Sequence, residues 1–117
     1  HDSHNIIAAG TNNTDMAAAV RELERQEGGM VVIQDGRVLA SIPLPIAGLM
    51  SDQSGDWVDE QMARLYKIGY QTLGIHEQVD VIMTLCFMSL PVIPSIKLMD
   101  TGLFDVESFS FISIEAD

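Results

Sequence analysis

Met30-Val31-Val32-Ile33-Gln34-Asp35-Gly36-Arg37-Val38-Leu39-Ala40-Ser41-Ile42 decides the architecture of this chain. Two runs rich in β-branched residues flank an Asp-Gly pair. Asp-Gly readily takes the two left-handed positions of a type I′ turn, whose twist matches that of an antiparallel ribbon. The stretch therefore predicts a β-hairpin over 30–42. Pro43 and Pro45 remove ladder donors and end regular pairing. Ile46-Ala47-Gly48-Leu49-Met50 then reads as an apolar loop or short helix, of the kind that is usually buried.

Working outward towards the N-terminus, Met16, Ala19, Val20 and Leu23 recur at helical spacing while Arg21, Glu22, Glu24 and Arg25 fall on the other face. Asn12 is the expected N-cap, Asp15 sits three positions on, and Gly28-Gly29 supplies a left-handed stop. A helix is expected over about 13–27. Before it, Ile6 to Ala9 form a short strand candidate closed by Gly10.

Working towards the C-terminus, a second helix is expected after Ser51 to Gly55, running to Leu73 and stopped by Gly74. Val58, Met62, Leu65 and Gly69 make its apolar stripe, and Gly69 indicates a close approach by a neighbouring element. Asp80 to Ser89 reads as helical or extended, Pro91 and Pro94 break any regular element beyond it, and Phe109 to Ile114 reads as a closing strand. With neither repeats nor a Gly/Ser linker, this order describes one α+β domain: a small β-sheet with its hairpin near 30–42 and two or three helices packed on it.

The 117 residues carry 47% hydrophobic residues, enough for a core. Seventeen acidic against six basic side chains give a formal charge of −11, which disfavours nucleic acid and anionic lipid as partners. The acids are scattered, as on a solvated surface. The longest apolar run, Val81 to Ile93, falls short of the ~20 residues that span a bilayer, so no membrane partner is expected. Cys86 has no internal disulfide partner and lies in an apolar run, which fits a reducing, cytoplasmic setting. The chain opens on His1 rather than methionine and reads as a piece of a longer protein.

The densest polar cluster is His1-Asp2-Ser3-His4-Asn5. Two imidazoles three residues apart with a carboxylate between them are of the type that binds a transition metal or shuttles protons. An ordinary polar loop, or residues appended at the terminus, explains the same pattern. His76, after the helix stop, reads as a solvated residue. Asp56, Asp59 and Glu60 suit the positive end of a helix dipole, and the seven methionines read as core filler.

Several stretches, in order, resemble the C-terminal part of the adenine deaminase family within the amidohydrolase superfamily. They are His1-Asp2-Ser3-His4-Asn5-Ile6-Ile7, Gly10-Thr11-Asn12 with Asp15-Met16-Ala17, Leu44-Pro45-Ile46-Ala47-Gly48-Leu49-Met50-Ser51-Asp52, Met83-Thr84-Leu85 and Leu90-Pro91-Val92-Ile93-Pro94. The resemblance implies that residues 1–117 are the C-terminal domain of an enzyme that converts adenine and water to hypoxanthine and ammonia. It also implies a manganese or iron centre in the parent enzyme, whose ligands belong to an upstream barrel; none of that metal is expected in this piece, which is expected to be inactive alone. His1, Asp2, Ser3, His4 and Asn5 are then the candidate residues facing the active site, supporting it without ligating the metal. The expected partners are the barrel and adenine. A non-catalytic packing or homo-oligomerisation domain, using Ile46 to Met50 and Val81 to Ile93 as interfaces, and an independent module binding through His1 and His4 both stay open as alternatives.

Overall fold

A computed structural model describes residues 5–115. The elements are α1 (Asn13–Arg25), β1 (Gly29–Gln34), β2 (Arg37–Pro43), α2 (Gly55–Gln71), α3 (Val81–Phe87), β3 (Ile96–Met99), β4 (Gly102–Asp105) and β5 (Ser110–Ile112). The α+β class is as expected, with the strands divided between two antiparallel sheets, β1-β2 and β3-β4-β5.

The hairpin forms as its residues predict. Asp35 and Gly36 both take positive φ, 52° and 72°, as a type I′ turn requires. Pairing runs from Gln34↔Arg37 to Gly29↔Pro43, one residue further than the proline suggests, because position 43 is terminal in the ladder. The register shifts at Val32/Ile33, where Ala40 and Val38 are the partners and Leu39 is left over as a bulge. Arg64 Nη2 on α2 donates to the Leu39 carbonyl at 3.3 Å, so the group the bulge releases is taken up by the packed helix.

Asn12 caps α1 by accepting from the Asp15 amide at 2.7 Å. Asp15 does more than start the helix. Its carboxylate accepts from the amides of Asp35 at 3.0 Å and Gly36 at 2.8 Å, pinning the hairpin turn to the first turn of α1. The helix stops two residues early, because Glu27 itself enters the left-handed region (φ 63°) ahead of Gly28 and Gly29. The glycine pair is set by close approach. A β-carbon on Gly28 would stand 2.6 Å from the Gly48 Cα, and one on Gly29 would collide with the Ile42 carbonyl.

The core lies between the hairpin and α2. Ile42 (1% exposed) and Leu65 (0%) are its largest fully buried side chains, joined by Val32 and Ala40 and flanked by Met30, Leu44, Trp57, Met62 and Ile68. Ser54 caps α2 through the Trp57 amide at 3.3 Å. Gly69 makes the close approach its position indicates, facing Val81 of α3 at a distance of 3.2 Å from where a β-carbon would stand. The ambiguous run after Asp80 resolves as helix because the Asp80 carboxylate accepts from the Ile82 and Met83 amides at 3.1 and 2.8 Å, an N-cap.

Four expectations change. Ile6 to Ala9 form no strand, since no sheet edge pairs with them. The connector expected to be buried is a tight turn closed by the Ile46↔Met50 bridge, and it leaves Ile46 46% and Met50 57% exposed. The closing strand shrinks to Ser110–Ile112, because β4 offers it three partners. Finally, β3 and β4 form a hairpin across Asp100-Thr101 in a segment where no Asn-Gly or Asp-Gly pair signals one. Around this second sheet the buried residue is Phe104, with Phe109 and Phe111 edge-on to its ring at 5.3 and 5.2 Å between centroids. The molecule measures 44 × 29 × 28 Å with a radius of gyration of 15.2 Å. A compact chain of this length has about 13 Å, so the two sheets are not folded onto one core.

Leu65→Ala is expected to lower the unfolding free energy by about 3 kcal/mol, because it empties the centre of the hairpin–α2 core; urea unfolding followed by circular dichroism measures it. Asp15→Ala is expected to lower the melting temperature and to speed hydrogen exchange at the Asp35 and Gly36 amides, whereas Asp52→Ala leaves that exchange unchanged.

Candidate functional site

Of the five residues singled out at the N-terminus, His1, Asp2, Ser3 and His4 lie outside the described residues, and Asn5 lies within them. Asn5 stands at a cleft of ≈ 370 Å³ lined by Asn5, Ile6, Ile7, Leu98, Met99 and Asp100. The extended N-terminal segment supplies one wall and the β3–β4 hairpin the other. The walls are apolar, and Asn5 and Asp100 are its polar members. Asp100 was not singled out from the sequence: it occupies a hairpin turn, and its proximity to Asn5 arises across ninety-five positions of chain.

A second cleft, of ≈ 690 Å³, opens between the hairpin, the Ile46–Met50 turn and the start of α2. Met30, Leu44, Leu49, Met50, Val58 and Met62 line it, with Ser51, Gln53 and Asp59 as polar members. Asp59 therefore stands at a cleft as well as on the first turns of a helix. The methionines assigned to core filler divide: Met30 and Met62 pack against the core, whereas Met50 is exposed.

Several other polar groups close turns or pair on the surface. His76 is exposed, as expected, and its Nδ1 accepts from the Gln78 amide at 3.2 Å, closing a turn. Asp105 accepts from Ser108 Oγ at 2.6 Å and from the Glu107 and Ser108 amides, closing the β4–β5 turn; the serine hydroxyl, foremost among these donors, holds its pKa down. Glu22 and Arg25 form a bidentate pair on the surface of α1.

Tyr66 and Asp80 make the most perturbed pair. Tyr66 Oη donates to Asp80 Oδ1 at 2.8 Å, tying α2 to the capping residue of α3, and the Tyr70 ring stacks on it at 6.0 Å. Loss of hydration raises the Tyr66 pKa to about 12, and the hydrogen bond to the Asp80 carboxylate adds to the shift. Asp80 moves down, held first by the Met83 amide and next by the Tyr66 hydroxyl.

Among the described residues, no three His, Cys, Asp or Glu side chains converge where they could hold a metal ion. No described helix is long and apolar enough to cross a membrane. The sequence comparisons then settle the lineage. The model of the adenine deaminase C-terminal domain matches residues 1–110. This chain belongs to that family. It is 54% identical over 116 residues to adenine deaminase 2 of Desulfotalea psychrophila, covering 99% of this chain and 20% of that protein. It is 55% identical over 112 residues to the adenine deaminase of Halalkalibacterium halodurans, covering 96% and 19%. It is 50% identical over 115 residues to that of Bacillus subtilis, covering 98% and 20%. The chain thus spans about one fifth of the length of these relatives, and it is the C-terminal domain of an adenine deaminase in the sense the family defines.

The Tyr66–Asp80 contact gives a signed pH dependence. A tyrosine whose folded pKa lies above its unfolded value of about 10 contributes stability that is complete below pH 10 and is lost as pH rises towards 12. Asp80→Asn is expected to lower the Tyr66 pKa part-way and leave it above 10, because burial is the larger cause; ultraviolet titration of the tyrosinate band reads both values. The lowered carboxylates Asp15, Asp80 and Asp105 act oppositely: their contribution is present above pH ~4 and is lost on acidification through their folded pKa values.

Proposed function

We propose that this domain completes an adenine deaminase whose larger part lies outside the chain, and that the intact protein hydrolyses adenine to hypoxanthine and ammonia in the cytoplasm. The observation that carries the reading is the family match over residues 1–110, together with relatives at 50–55% identity that bear that enzyme's name. We assign a manganese or iron centre to the parent enzyme, with its ligands in the upstream barrel. This domain alone is proposed to be inactive.

His1, Asp2, Ser3, His4 and Asn5 are proposed to face the mouth of the active site, supporting it without ligating the metal. Asn5 supports this placement. It stands with Asp100 at a cleft whose walls are Ile6, Ile7, Leu98 and Met99, and a purine likewise has apolar faces and a polar edge. In this role the imidazole of His4 would orient or exchange a proton near the purine edge. The exposed apolar side chains favour a packing role beside the catalytic one, and the two roles are compatible.

In the full-length protein, His4→Ala is expected to reduce deamination by about ten- to a hundredfold with an unchanged melting temperature. Ammonia release assays and calorimetry measure the two; an unchanged rate with a lowered melting point would overturn the placement. A separately expressed barrel is expected to gain ammonia release from adenine and manganese only when residues 1–117 are added, and activity of residues 1–117 alone would contradict the reading.

A further inference from the structure

The second sheet carries apolar side chains on both faces. Residues paired across strands share a face, so Lys97, Phe104 and Phe111 lie on one side, where Phe104 is buried under its neighbouring rings. The opposite side carries the apolar row Leu98, Leu103 and Ile112 and, next to it, the row Ile96, Asp105 and Ser110. On that side Ile96 is 49%, Leu98 50% and Ile112 36% exposed. An antiparallel sheet with one face in water alternates apolar and polar residues, whereas a sheet covered on both faces does not. The Leu98–Leu103–Ile112 row, with Ile96 beside it, therefore has the composition of a covered surface.

We infer that the Ile96–Leu98–Leu103–Ile112 face is the seat of the preceding part of the same polypeptide, an inference that rests on reading the chain as the C-terminal domain of a longer enzyme. Three observations select that occupant. About four fifths of the relatives' length lies outside the matched segment. Ile6 and Ile7 line one cleft with Leu98 and Met99, so the first described residues run along the β3 edge of this sheet. The surroundings are acidic: Asp105 shares the face and Asp100 tips the hairpin, in a chain of formal charge −11. A second copy would set like charges against each other, whereas a surface with an apolar centre and a basic rim would complement this one.

Hydroxyl-radical footprinting of the full-length protein, read by mass spectrometry over a dilution series, tests the assignment. Labelling of each residue is normalised to the same protein unfolded in urea, with Leu65 as the buried reference. Leu98 and Ile112 are expected to lose their label to the level of Leu65 at every concentration, including where light scattering finds monomer. Labelling of both in the monomer would overturn the inference, as would protection that disappears on dilution, which would give the face to a second copy. Deamination of adenine is assayed on the same samples. Activity with Leu98 labelled refutes the docking alone, and protection of Leu98 without activity supports the docking while refuting the deaminase reading.

Discussion

The burial of Ile42 and Leu65 in one core is the constraint on which the N-terminal half depends. A two-stranded ribbon is marginal by itself in water, and this one persists because α2 covers its inner face while α1 packs on β1. Ile42 and Leu65 are essentially without solvent contact, and Val32 and Ala40 close the same core. The polar contacts around it depend on that packing. Arg64 reaches the carbonyl that the Leu39 bulge releases, and Asp15 holds the turn at the far end of the hairpin.

Past Gly69 and Val81 the molecule changes character. The second sheet has one buried side chain, Phe104, and its hydrophobic residues lie largely at the surface. Among the described residues five hydrophobic side chains are buried and fifteen large ones are exposed. This distribution agrees with the proposed packing of the domain against the larger part of its own chain. The apolar turn at Ile46–Met50, expected inside, lies outside for the same reason: this core is too small to cover it.

The polar side chains divide along the same line. Those within reach of a partner, such as Asp15, Asp80, Tyr66 and Asp105, are engaged in capping turns and tying helices together. Asn5 and Asp100 instead stand at a cleft beside the N-terminal segment.

Local signals sufficed wherever the determining groups are close in sequence. The Asp35-Gly36 turn, the Asn12 cap, the 3.6-residue stripe of α2 and the stop at Gly74 each depend on a few adjacent residues, so periodicity and turn chemistry placed the hairpin and two helices. The family was legible too, because the His1–Ile7 and Leu44–Asp52 runs are specific strings. Tertiary structure decided the rest. The β3–β4 pairing has a turn without a diagnostic dipeptide, and the capped helix after Asp80 competed with an extended reading until a carboxylate was seen bonded to its first amides. Asp100 comes beside Asn5, and Asp15 beside Gly36, by long-range packing that no local pattern records. The hydrophobicity of residues 96–112 was present in the sequence, but only the register across three strands shows that it divides between two faces, with Leu98, Leu103 and Ile112 on one and Phe104 and Phe111 on the other.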